Sequence, residues 1–199
     1  DSAQDWIQNV SYNSSRICDG MGAYIISEKI VHKLINLKGI GELTLQNYTN
    51  LGSEDTAKVL EMRNHTNVKK FMHKKEKISH KSHLEFINEL KVKSDKLYFL
   101  VKHNQKVVGS INLYKDVSDN SVEVGLYANP FEKIHGAGKI LLDVISAYSS
   151  SELEVKKIKL EVLSENSHAI NFYNYHGFQS YKKIEKNSQK VICMSKTII

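Results

Sequence analysis

The run Lys133-Ile134-His135-Gly136-Ala137-Gly138-Lys139, just after Asn129-Pro130, carries the clearest chemistry in the sequence. A strand ending at Pro130 and a helix opening at Gly136-x-Gly138 would turn consecutive backbone N–H groups towards one point, where an anion can sit. Glycine suits that point because a side chain would hold a phosphate away from the backbone. Lys133, His135 and Lys139 add positive charge around the loop. A glycine-rich turn that merely starts a helix has the same wording. A Walker-type loop is excluded, because its glycine spacing and Lys-Ser/Thr pair are absent. Antiparallel strands before the loop and no third glycine after it argue against a dinucleotide-binding unit.

The elements around the loop follow from the spacing of apolar residues. Ala23 to Leu37 has helical spacing through Ile26, Ile30, Leu34 and Leu37. Residues 1–38 therefore read as a helical extension, too poor in large apolar groups to enclose a core alone. Lys38-Gly39-Ile40-Gly41 reads as a boundary, with a second unit over 41–199. That unit opens with a strand through Leu43 and Leu45, then a helix from Ser53 to Met62 with Ala57, Val59 and Leu60 facing inward. A basic irregular stretch runs from Arg63 to Lys77. The next helix starts at Ser79 or Ser82, since Ser82-His83-Leu84-Glu85 has the capping-box pattern, and Leu84, Ile87 and Leu90 form its apolar face. Strands at 97–101, 107–114 and 122–128, joined by short polar turns, form an antiparallel meander. A helix striped by Ile140, Leu141, Val144, Ile145 and Tyr148 follows. Then come a strand through Ile158, Leu160 and Val162, a short helix over Ala169 to Tyr173 closed by Gly177, and a last strand near Val191 to Met194. The pattern is α+β.

Composition narrows the function. The chain has 199 residues, 41% hydrophobic and 25% charged, with a net charge of +6. A packed core is affordable and an anionic partner is favoured. The basic residues are scattered rather than striped, which speaks against nucleic acid. No apolar run has the length of a membrane span. The two cysteines, Cys18 and Cys193, make neither a disulfide framework nor a metal set, and a reducing cytoplasm is the simplest reading. His80 and His83 lack a third partner for a metal.

Two segments together resemble the GNAT acetyltransferase superfamily. The first is Val122-Glu123-Val124-Gly125-Leu126-Tyr127 leading into the glycine loop. The second is Leu160-Glu161-Val162-x-x-x-Asn166-x-x-Ala169-Ile170-x-Phe172-Tyr173-x-x-x-Gly177-Phe178. The resemblance spans residues 41–199 and agrees with the element order. It implies a mixed, mostly antiparallel sheet flanked by helices, acetyl-CoA as donor, and no metal. Its phosphates would lie on the loop from Lys133 to Lys139, although the first loop position, commonly Gln or Arg, is Lys133 here. Tyr173 would protonate the departing thiolate, unless it is simply a core tyrosine. Backbone N–H groups near Leu126 and Tyr127 would hold the acetyl carbonyl, and Asn166 would contact the pantetheine arm or cap. Glu161 alternates with Leu160 and Val162, so it is either the base, acting through a water, or a strand carboxylate paired with Lys159.

Further wording resembles the branch of this superfamily that serves pseudaminic acid biosynthesis, the PseH type. It comprises Leu60-Glu61-Met62-Arg63-Asn64-His65, Phe71-Met72, Ile78-Ser79-x-x-x-His83-Leu84-x-Phe86-Ile87, Lys96 to Leu100 and Gly125 to Pro130. That branch acetylates the 4-amino group of a UDP-linked 4-amino-4,6-dideoxy sugar. The resemblance implies that Arg63, Met72, His73, His83 and Phe86 lie near the nucleotide sugar. Arg63 also suits the end of a helix as a dipole-compensating cation. Arg16-Ile17-Cys18-Asp19-Gly20-Met21-Gly22-Ala23 resembles the closing segment of the pathway's nucleotide-sugar hydrolase (the PseG type), which suggests fusion to or association with that enzyme. A homodimer stays open. The rivals are a protein, ribosomal or polyamine acetyltransferase, and a non-catalytic domain that binds acetyl-CoA and regulates a partner.

Overall fold

The computed structural model describes residues 33–93 and 95–198. One eight-stranded sheet orders them as β1-β2-β3-β4-β5-β6-β8-β7. β1 (Lys33–Leu37), β2 (Gly41–Asn47), β3 (Lys96–His103), β4 (Lys106–Asp116) and β5 (Ser121–Ala128) are antiparallel neighbours. β6 (Lys157–Leu163) joins β5 in parallel, and β8 (Gln189–Thr197) then pairs with β6 and with β7 (Gln179–Lys186). The mixed sheet and its flanking helices are the expected α+β fold.

Alternation along the strands divides the side chains between two cores. Odd positions of β3 and β4 (Leu97, Phe99, Ile111, Leu113) enter the larger core under helix α4 (Ala137–Ser151), whose Leu141, Val144, Ile145 and Tyr148 are fully covered. The opposite face, with Leu100 of β3, packs on α1 (Ser53–Asn64) and α3 (His80–Val92) through Tyr48, Val59, Met62 and Leu90. A single turn of helix, α2 (Thr66–Lys69), and the loop to Ser79 complete that side, and α5 (Ser167–Tyr175) follows β6.

Four sequence expectations change. Lys33–Leu37 is a strand, not the end of a helix, so Leu34 and Leu37 do not share a helical face; Ile35 and Leu37 pack on the core while Leu34 is exposed. Lys38 to Ile40 is the turn between two paired strands, with Gly39 and the first residue of β2, Gly41, at positive φ, rather than a linker. The rest of the expected N-terminal helix, and the hydrolase-like Arg16–Ala23, lie outside the described residues. On α1, Thr56, Val59 and Met62 are buried while Ala57 faces solvent. On α3 the buried row is His83, Ile87 and Leu90, and Leu84 points outward; Ser79 is the cap, its hydroxyl accepting from Ser82 N at 3.1 Å.

Candidate active site

The site is built where the sheet opens. β5 and β6 pair only through Ser121, Val122 and Glu123, opposite Lys157, Ile158 and Lys159. Beyond Glu123 they part, and the rest of β5 keeps β4 as its neighbour. Asn129 N donates to Val108 O at 2.9 Å, so antiparallel alternation turns the N–H of Tyr127 and Gly125 towards β4. The same alternation directs the N–H of Leu126 and Ala128 into the gap. Leu126 thus has its backbone N–H facing the gap. Tyr127, whose own N–H turns to β4, lines the cavity, and Ala128 is a second residue with its N–H facing the gap that sequence reasoning did not name.

The gap leads to the N-terminus of α4. Gly136 caps it at φ 72°, a left-handed conformation that glycine adopts without strain. Ala137 N donates to Ile134 O at 3.2 Å, leaving Gly138 and Lys139 as first-turn N–H groups without intrahelical acceptors. A Cβ on Gly138 would meet the Phe172 ring at 3.4 Å, so the glycine keeps this approach narrow but open. Lys133 and His135 are exposed at the rim, whereas the Lys139 ammonium is paired with Asp143 one turn on, at 2.5 Å. Backbone groups therefore supply most of the anion field.

Opposite this loop, α5 presents Tyr173. Asn166 caps α5, its Oδ1 accepting from Ala169 N at 3.2 Å, and still lines the cavity. Tyr173 is packed between Phe172 and Phe178 and is only 8% exposed. Burial pushes its phenol up to about 12, so it keeps its proton at neutral pH. It lines the same cavity of about 1020 Å³ as Leu126 and Gly138.

Arg63, Met72, His73, His83 and Phe86 all line this cavity too. Arg63 ends α1, where it donates to Lys74 O at 3.2 Å through Nη2, while Nη1 is buried without a partner. Burial lowers its pKa, yet a guanidinium stays charged. His83 is buried with Nε2 unpartnered, and burial favours the neutral imidazole. Phe86 packs edge-on against Tyr98 at 5.1 Å.

Sequence reasoning did not name Tyr48, Tyr98 and Tyr114 between these groups, and named Tyr127 only for its backbone. Tyr48 O–H lies 2.6 Å from Ser110 Oγ and 3.3 Å from Tyr127 O–H, and the phenols of Tyr98 and Tyr114 are hydrogen-bonded. Burial raises all four phenols, which are therefore neutral. They come from four separate segments. The one legible clue was that Tyr98 and Tyr114 sit at even positions, on the sheet face opposite Phe99 and Leu113.

Glu161 does not line the cavity. Its Oε2 accepts from Lys186 at 2.8 Å and lies 3.0 Å from Nε2 of His73, which does line it. The alternative pairing with Lys159 is not made; Lys159 reaches Asp116 and Asp119 instead. Among the described residues no helix is long and apolar enough to cross a membrane, and no cluster of three or more His, Cys, Asp or Glu could hold a metal ion.

Comparison with known proteins agrees with this geometry. Residues 58–178 match the model of the acetyltransferase (GNAT) family. Acetyltransferase PseH of Campylobacter jejuni subsp. jejuni serotype O:23/36 (strain 81-176) is 33% identical over 139 residues, which cover 70% of this chain and 86% of that protein. The crystal structure of Campylobacter jejuni N-acetyltransferase PseH in complex with acetyl coenzyme A matches with a TM-score of 0.62 and 26% identity, covering 78% of this chain and 98% of that one. The spermidine N-acetyltransferase from Vibrio cholerae, in complex with CoA and spermine, matches with a TM-score of 0.67 over 78% of this chain and 95% of its own; at 22% identity it shares the fold alone. The chain belongs to the GNAT family and is an acetyl-CoA-dependent N-acetyltransferase.

Proposed function

We propose that the chain acetylates the 4-amino group of a UDP-linked 4-amino-4,6-dideoxy sugar, in pseudaminic acid biosynthesis. One observation carries the choice of acceptor. Arg63, Lys74 and Lys96 line the cavity with His73, His83 and His168, and no Asp or Glu joins them among the described lining residues. A polyamine cation would enter a cationic cleft against its own charge, whereas a diphosphate meets Arg63 with a guanidinium edge still unpaired. The likeness to PseH supports the same reading. Association with a nucleotide-sugar hydrolase, a homodimer and a cytoplasmic site of action belong to this proposal as well.

Bound acetyl-CoA supplies a thioester carbonyl that a neutral amine attacks. Leu126 and Ala128 offer N–H groups to acyl and amide oxygens, which costs no reorganisation because the strand already holds them. Tyr173 keeps its proton until a thiolate departs and then donates it. Glu161 keeps Oε1 free of protein donors among the described residues, since Lys186 and His73 both hold Oε2. Glu161 does not itself line the cavity, so it takes the proton of the incoming ammonium only through water, beside His73, which links it to the cavity wall.

The test is acetyl-CoA turnover on UDP-4-amino sugars, polyamines and peptides, with products read by mass spectrometry. The UDP-amino sugar should be acetylated with kcat/KM at least roughly tenfold above the others, falling as salt screens the cleft. Faster turnover of spermidine sinks the reading.

A further inference from the structure

The geometry points to Asn112 as the residue that selects and orients the acceptor sugar, through its carboxamide. The inference rests on the proposed acceptor being a sugar amine. It starts from the register of three strands: Tyr98 of β3, Asn112 of β4 and Gly125 of β5 stand directly opposite one another on the sheet face away from α4. The preceding row, Leu100, Ser110 and Tyr127, lies towards the smaller core formed with α1 and α3. The Asn112 row is therefore the floor of the cavity, and all three of its residues line it.

Gly125 is what frees the Asn112 side chain. A Cβ there would fall 2.5 Å from Asn112 Oδ1 and 3.2 Å from its Nδ2, so the carboxamide occupies the space that any other residue would fill. Gly125 has an ordinary backbone conformation, so the turn chemistry of glycine is not the reason for it. The Asn112 carboxamide makes no hydrogen bond to any described residue, although the neighbouring Tyr98 and Tyr114 phenols are bonded to each other. A half-buried carboxamide has an acceptor and two N–H donors to satisfy, and one left idle in a cleft is a ready ligand group. Its position fits an acceptor contact. Gly125 immediately precedes Leu126, whose N–H faces the acyl gap, so Asn112 lies beside the point where amine and thioester meet. A carboxamide that both donates and accepts pairs with a sugar hydroxyl, and the one assigned to it is the hydroxyl on the carbon next to the amine.

The test compares Asn112→Ala with the wild type on a UDP-4-amino-4,6-dideoxy sugar and on its analogue lacking the neighbouring hydroxyl. Asn112→Ala should lower kcat/KM for the complete sugar by roughly tenfold to a hundredfold. Its acetyl-CoA KM and thermal midpoint should stay unchanged, and the deoxy analogue should be turned over equally by both proteins. Gly125→Ala should cause a similar loss by pushing the carboxamide aside, and should cost nothing more in the Asn112→Ala background. Undiminished kcat/KM in Asn112→Ala overturns the inference. So does a full further loss from Gly125→Ala in that background, because the glycine would then be clearing space for substrate directly. If the wild type ignores UDP-amino sugars but acetylates another anionic amine, the proposed acceptor fails. Asn112→Ala is then compared on that amine, where a loss supports an orienting role and wild-type turnover overturns it.

Discussion

Nε2 of His73 lies 3.0 Å from Oε2 of Glu161, tying the loop between α2 and α3 to strand β6 across the cleft. Lys75 and Glu165 add a second tie at 3.1 Å, and Asn64 anchors the loop's far end by donating to Ile78 O at 2.9 Å and accepting from Ile78 N at 2.8 Å. The wall that carries the acceptor-side residues is thus fastened at both ends. Glu161 serves as one of its anchors as well as the proposed base.

These two roles of Glu161 have different signatures. Glu161→Gln should lower kcat by about one to two decades, and the loss should be partly recovered at higher pH, where more of the amine is already neutral. His73→Ala keeps the base but loses the tie and a cavity-lining imidazole. It should mainly raise the acceptor KM, without alkaline recovery. Steady-state kinetics across pH on both variants separate the outcomes, and wild-type kcat in Glu161→Gln removes the base assignment.

Tyr173→Phe keeps the ring between Phe172 and Phe178 and deletes only the phenolic proton. Turnover should fall by roughly one to three decades with acetyl-CoA binding nearly unchanged. No recovery at high pH should follow. The sign of the pH dependence of stability is set by the same burial. The folded-state value of about 12 lies above the ordinary 10.0, so this contribution is complete below pH 10 and fades as pH rises towards 12. Tyr173→Phe should flatten that part of the alkaline unfolding profile.

The second signature segment was legible because it packs chemistry into consecutive residues. Asn166 caps, Tyr173 falls two turns later on the buried side, and Gly177 turns the chain at φ 85°. The proposed anion loop, too, is written in consecutive residues, Lys133 to Lys139. Ala128 as a donor was not, because backbone direction depends on pairing with β4 and leaves no mark in residue type. Asn112 escaped notice since a lone Asn in a strand means nothing until Gly125 is found opposite it. Leu34 and Leu37 misled because they continue the spacing of Ile26 and Ile30, whereas pairing with β2 decides the structure of Lys33–Leu37. β7 was invisible because nearly every one of its residues is exposed on an edge and no apolar alternation is needed.

Gly138→Asp tests the anion loop. The carboxylate would approach the Phe172 ring and place negative charge at the helix start that should receive phosphate. Acetyl-CoA at about a hundred times its Kd should raise the wild-type thermal midpoint through roughly 2.7 kcal/mol of binding linkage. The variant should lose this shift while its unliganded midpoint stays close to wild type. An undiminished shift would place the phosphates elsewhere.

Two truncations locate the working N-terminal boundary. Sequence spacing put it after Lys38, yet β1 is hydrogen-bonded along its whole length to β2, and Ile35, Leu37 and Ile40 pack on the larger core. Lys33 also forms an ion pair with Glu152 at the end of α4. Removing residues 1–38 should therefore strip an edge strand and expose apolar surface. Two half-buried side chains are worth roughly 2–3 kcal/mol, which for a domain of this size lowers the thermal midpoint by about 4–12 °C. Turnover at low temperature should survive, because the cleft is built from β3 to β6 and α1 to α5, away from this edge. Removing only residues 1–32 should leave both midpoint and turnover near those of the full chain, as expected if their hydrolase-like wording belongs to another activity. A protein lacking 1–32 that keeps its midpoint but loses turnover would show instead that these residues complete the acetyltransferase site.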